Sequence, residues 1–120
     1  MKSKNLIDES IKLQLDAKAL GLDWIELAKI ISKIREETDE LEEAIDLDNQ
    51  AHIKEELGDL FFSLISLSRH LNIDMDDLNK SANKKFKKRL DKIKDEMNKR
   101  NIKYAEPSEM IDIWRAIKNK

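Results

Sequence analysis

The chain has 120 residues, 40% of them charged and 40% hydrophobic, with a formal net charge of −2; that length suits one domain, residues 1–120, and the balanced charge excludes a general attraction for nucleic acid. Two glycines, one proline and no cysteine disfavour a turn-rich β fold, rule out disulfides and thiolate metal sites, and fit a reducing cytoplasm. No apolar run approaches the ~18 residues of a membrane helix and no secretory signal is visible, so a cytoplasmic protein with no membrane partner is expected.

In chain order, Leu6, Ile7, Ile11, Leu15 and Ala19 predict a first helix over about 4–19, stopped by Gly21. Asp23 has the character of an N-cap for a second helix from Trp24 to about Asp46, where Leu27, Ile30, Ile31, Ile34, Leu41 and Ile45 form one apolar stripe with Glu37 on its edge and Glu40 further round. Trp24 is read as a packing residue at that helix start. DLDNQ breaks the pattern. A third helix follows from about Ala51 to Leu71, and from Leu60 onward apolar residues occupy nearly its whole circumference, which calls for neighbours on several sides. Asp74 caps a fourth helix through about Asn98, NIKYAEPS is a loop, and Ser108 caps a short last helix, MIDIWRAIKNK. The expected fold is therefore all-α: a bundle of four main helices plus a short C-terminal one, completed by oligomerisation.

Two acidic pairs share one spacing, Glu37 with Glu40 and Glu56 with Asp59. Residues three apart on a helix project from adjacent turns, so each pair can aim at one point, and two pairs on neighbouring helices can surround a cation. The spacing alone leaves a solvated acidic face equally open. Position favours the cation, because carboxylates withdrawn from water repel one another unless something neutralises them. An all-oxygen site suits Mg²⁺, or Mn²⁺, better than zinc or copper. His52 and His70 lack the Glu-x-x-His spacing of a ferritin-like site, since Asn49 and Leu67 stand three before them; they are read as helix-end or packing residues. Gly58 costs about 1 kcal/mol in a helix interior, and close approach of a neighbouring helix is the expected compensation. The run KKFKKR at 84–89 reads as an anion-binding face or a solvated one, with Phe86 turned to the core.

The ordered set KIREETDELEEAI, EELGDLFFSLISLSRHL, NKKFKKRL and EMIDIWRAIK, with AKALGLDW upstream, resembles the all-α MazG-type nucleoside triphosphate pyrophosphohydrolases over nearly the whole chain. The resemblance implies hydrolysis of a nucleoside triphosphate substrate to the monophosphate and pyrophosphate, with Mg²⁺ as cofactor and a housecleaning or pool-regulating role. It carries metal binding to Glu37, Glu40, Glu56 and Asp59, with Glu36 an extra carboxylate for orienting water or a ligand. It carries phosphate binding to Lys85 and Arg89, preceded by Asn83, and pocket closure to Trp114 and Lys118. It also implies a homodimer or homotetramer. One departure is visible: where relatives often have a glutamate after the basic motif, this chain reads DKIKDEM, with Lys94 near that place and Glu96 two further on. Longer bacterial members carry two such domains, and one is seen here. Phosphoribosyl-ATP and dUTP or dCTP pyrophosphohydrolases share the carboxylate pattern, and a helical assembly module is the non-enzymatic alternative.

Overall fold

Low glycine and proline content leaves few interruptions, and the computed structural model, which describes residues 6–24 and 26–118, contains five helices and no strand among them. They are α1 (Leu6–Ala19), α2 (Leu27–Asp46), α3 (Gln50–His70), α4 (Met75–Lys99) and α5 (Pro107–Lys118). Residues 4 and 5 of the expected first helix, and 119 and 120 of the last, lie outside the described residues.

The first four helices end in the same way. After α1, Leu22 N–H donates to the Ala17 carbonyl and Gly21 N–H to that of Lys18, both at 2.9 Å. This is the double bond pattern that satisfies the last free carbonyls when the residue past the helix turns left-handed. Gly21 does so at φ 84°. Asp48, Asn72 and Asn101 take the same place after α2, α3 and α4 at φ 52°, 57° and 59°, with matching bonds from Asn49 to Ala44, Ile73 to Ser68 and Ile102 to Met97. Asp and Asn are the side chains that tolerate this conformation best after glycine. These helices thus end at DLDNQ, at LNID and at RNIK without further glycines.

Two helix starts differ from the sequence expectation. α2 begins at Leu27, after Glu26 in extended backbone with no side-chain capping bond, so Asp23 is not its N-cap. Its carboxylate is drawn to α3, where Arg69 Nη2 donates to Oδ1 at 2.9 Å and His70 Nε2 lies 3.2 Å from Oδ2. α5 begins at Pro107, ahead of Ser108. Proline suits the first helical position because its missing N–H has no partner there anyway, and Glu109 accepts from the Glu106 N–H at 3.2 Å, the returning half of a capping box. α3 starts as its cap requires: Asn49 Oδ1 accepts from the His52 N–H at 3.1 Å.

The chain forms two compact units, residues 1–75 and 76–120. In the first, α2 and α3 pack along one another and α1 lies against α3, around Ile30, Ala44 and Ile65. Gln14 of α1 is buried too; its amide donates to the Phe62 carbonyl at 3.1 Å and its oxygen accepts from Arg69 Nε at 3.1 Å, so a polar side chain on the core face is fully used. In the second unit Ile113 and Ile117 of α5 are the buried apolar residues. Phe86, expected in the core, is 60% exposed.

Candidate metal centre

The face that α2 buries is Ile30, Glu37, Ala44, and α3 buries Glu56 and Ser63 with Ile65 and Ser68. Steps of seven residues are two helical turns, the repeat that keeps one stripe against a neighbouring helix. Glu37 and Glu56 therefore sit in the packing seam itself, where the apolar-stripe reading had Glu37 on the edge. Glu40, one turn further along α2, is half-buried; Asp59 and Glu36 are exposed.

The seam brings the acids together. Carboxylate oxygens of Glu37, Glu56 and Asp59 lie within 4.8 Å of one another, and the Glu40 carboxyl stands beside that of Glu56. Contact with Glu40, then burial, then contact with Glu37 push the Glu56 carboxyl up to about 7 from its ordinary 4.5, because each disfavours a second negative charge at that point. Two basic side chains stand at the rim. Lys33 Nζ is 2.9 Å from Glu37 Oε1, a bond that holds its ammonium proton more tightly against the opposing effect of burial. His52 Nε2 is 3.3 Å from Glu56 Oε1 and 3.9 Å from Glu55 Oε1. His52, read from sequence as a helix-end or packing residue, thus belongs to the acidic cluster; its position four before Glu56 was the available signal. Lys33, four before Glu37, carries the same signal.

Even so, Oε2 of Glu37 and Oε2 of Glu56 are buried without a hydrogen-bond partner. A buried carboxylate oxygen left unpaired is costly, and a bound cation would offset that cost. Glu37, Glu56 and Asp59 offer only oxygen, so that set fits a hard divalent ion, while His52 with Glu55 and Glu56 forms a second group that includes a nitrogen donor. Gly58 does not contribute as expected: a β-carbon there would meet no atom within 4 Å, so no close helix approach among the described residues explains it.

The basic candidates lie in the second unit. Asn83 and Lys85 are exposed on α4, while the Arg89 guanidinium carbon stands 5.4 Å from the Trp114 ring centroid, within cation–π range. Arg89, Lys92, Trp114, Ile117 and Lys118 line a cavity of about 210 Å³. Three of the five predicted substrate residues are brought together there; Asn83 and Lys85 are not in its lining. Lys92, three after Arg89, was missed within a stretch rich in lysine.

Comparison with known proteins agrees with this reading of the motifs. Over 109 residues the chain is 36% identical to the nucleoside triphosphate pyrophosphohydrolase/pyrophosphatase MazG of Thermotoga maritima. It is 30% identical over 111 residues to the nucleoside triphosphate pyrophosphohydrolase of Escherichia coli K12. Each match covers 89% of this chain and 42% of the relative, so the chain spans less than half the length of these relatives. Residues 26–94, which contain α2, α3 and most of α4, match the MazG nucleotide pyrophosphohydrolase domain, and the chain belongs to that family.

Proposed function

We propose that the protein hydrolyses nucleoside triphosphates to the monophosphate and pyrophosphate, using Mg²⁺ held by Glu37, Glu40, Glu56 and Asp59, with Mn²⁺ as a substitute. The observation that carries this reading is the pair of unpartnered buried oxygens on Glu37 and Glu56 inside a four-carboxylate cluster. Such a cluster is unfavourable alone and favourable around a cation. Family membership and the names of the relatives point to the same chemistry. A bound divalent cation supplies positive charge against the polyphosphate. The chain's own groups do the rest: Glu36, on the exposed side of α2, orients water, and Arg89 and Lys118, with Lys85 and Asn83, take phosphate oxygens as charge-assisted donors. Trp114 holds the Arg89 guanidinium by its ring face.

The assembly is a homodimer or homotetramer in the cytoplasm, working on the nucleotide pool. Support comes from α3, where Leu57, Phe61, Phe62 and Leu64 are each more than 40% exposed, an apolar face of the kind that a second copy covers.

The test is product identification by phosphorus NMR after incubation with individual nucleoside triphosphates. Pyrophosphate and the monophosphate are expected with Mg²⁺ and neither with EDTA; Glu40→Gln and Asp59→Asn should lose activity with helicity intact. Release of orthophosphate and the diphosphate instead, or undiminished turnover in both variants, would refute the assignment.

A further inference from the structure

The first two turns of α3 carry a constellation that has no part in the scheme above. His52, Glu55 and Glu56 each bring one donor atom within 4.8 Å of the others: His52 Nε2 stands 3.3 Å from Glu56 Oε1 and 3.9 Å from Glu55 Oε1. Positions i, i+3 and i+4 share one helical face. Helix ends fray, but the turn that bears His52 is anchored, because Asn49 Oδ1 accepts its backbone N–H at 3.1 Å. The other histidine is committed elsewhere. His70 Nδ1 lies 2.8 Å from the Ser66 carbonyl oxygen, and its Nε2 donates to the carbonyl of Trp24, a residue expected to pack but 51% exposed.

An ordinary helix ion pair does not account for this arrangement. Nε2 carries at most one proton, and at 3.9 Å Glu55 is beyond hydrogen-bond reach, so two carboxylates converge on a nitrogen that serves one. Glu56 is 7% exposed and its Oε2 is buried with no partner, so the pair with His52 leaves half of that carboxylate unsatisfied. A metal ion accepts all three groups at once. Bonds of about 2.0–2.2 Å to nitrogen and oxygen set neighbouring ligand atoms of a tetrahedral ion about 3.3–3.6 Å apart, a range that includes the 3.3 Å between His52 and Glu56. The exposed Glu55 side chain closes its remaining gap by a small rotation.

We propose that His52, Glu55 and Glu56 form a second cation site, for a borderline divalent ion such as Zn²⁺, and that its occupation opposes hard-cation binding by the carboxylate seam. The imidazole nitrogen decides the ion: Mg²⁺ keeps to oxygen donors, whereas imidazole suits zinc, and the general affinity order places zinc above manganese at a mixed site. Three protein ligands leave the ion a fourth position for water. The antagonism follows from Glu56, the one ligand common to both sets. A carboxylate drawn to one dication offers less charge to the other, and the two ions repel across it. By linkage each ion weakens the other by the same factor. The antagonism rests on the hard cation proposed above; the site itself does not.

The experiment is calorimetric titration with Zn²⁺ alone, on wild type, His52→Gln, Glu55→Gln and Asp59→Asn, with the histidine rings followed by long-range proton–nitrogen NMR. Zn²⁺ is expected to move the Nε2 resonance of His52 and not that of His70, and Mg²⁺ to move neither. Zn²⁺ affinity should fall at least about tenfold in His52→Gln, less in Glu55→Gln, and stay at the wild-type value in Asp59→Asn. Equal Zn²⁺ binding by wild type and His52→Gln, or an unmoved His52 nitrogen, overturns the site, and a loss in Asp59→Asn as large as that in His52→Gln overturns its separateness from the seam. The antagonism is read by electron paramagnetic resonance: one equivalent of Zn²⁺ should raise the Mn²⁺ concentration at half-saturation about fivefold or more in wild type and leave it unchanged in His52→Gln. Superimposable Mn²⁺ curves with and without Zn²⁺ overturn the antagonism. If wild type binds no Mn²⁺ at all, the hard-cation reading fails, and the Zn²⁺ titration with the His52 resonance still decides the site.

Discussion

Glu56 stands against the carboxyls of Glu40 and Glu37, and this makes a pH signature. Its carboxyl rises from 4.5 unfolded to about 7 in the folded chain, so the native state holds that proton more tightly than the unfolded one. The stability this proton contributes is fully present below about pH 4.5 and is lost as pH rises to about 7. In EDTA, the thermal midpoint of wild type should therefore fall relative to that of Glu56→Gln between those two values, and Mg²⁺ should close the gap by stabilising only the wild type. Parallel midpoints of the two proteins across this range, with no selective effect of Mg²⁺, would contradict the role given to Glu56. Asp23 works in the other direction: its carboxyl is lowered below 3.8, so its contribution is present above that value and disappears only in stronger acid, outside the window in which Glu56 reports.

Helix identity was legible in the sequence, because the apolar period of 3.6 is a property of the residues alone; where helices stop and what their buried faces do was less so. The left-handed turn at Gly21 is visible from glycine, whereas those at Asp48, Asn72 and Asn101 use residues common in any loop. The expected cap at Asp23 failed because Arg69 and His70, more than forty residues away, compete for its carboxylate. Glu37 looked peripheral because an apolar stripe is drawn through apolar residues; the seam in fact runs Ile30, Glu37, Ala44. Of the four acids that the i,i+3 spacing singled out, Glu37, Glu56 and Asp59 bring carboxylate oxygens within 4.8 Å of one another, which required the pairing of α2 with α3; Lys33 and His52 stand one turn before Glu37 and Glu56 on the same helices and were legible from spacing alone. Two stability measurements belong at this scale. Asp48→Gly should gain about 0.5–1 kcal/mol in urea unfolding, since glycine adopts the left-handed turn without the β-carbon penalty. Ile65→Ala, at a position 1% exposed, should lose about 2–5 kcal/mol. A loss at Asp48 or a neutral change at Ile65 would mean that the turn or the seam is not as described.

For the whole molecule, the described core is sparse: Ile30, Ala44 and Ile65 in one unit and Ile113 and Ile117 in the other, while α3 keeps its phenylalanines outside. The second copy proposed for that face would account for a chain of this size with so little buried apolar surface. Phe61→Glu should then give a smaller species in sedimentation equilibrium with helicity retained. Gly58→Ala separates this assembly from the helix itself. With open space around it, the variant should gain up to about 1 kcal/mol, and a loss that grows with protein concentration would place the partner's helix against Gly58. The proposed activity rests on the four acids of α2 and α3 holding a hard cation. Its most direct test is Mn²⁺ titration followed by electron paramagnetic resonance in wild type, Glu56→Gln and Asp59→Asn. Saturable Mn²⁺ binding by wild type, weakened at least about tenfold in either variant, is the predicted result. Identical titration curves for all three proteins, or no binding by wild type even with a nonhydrolysable nucleoside triphosphate present, would contradict it.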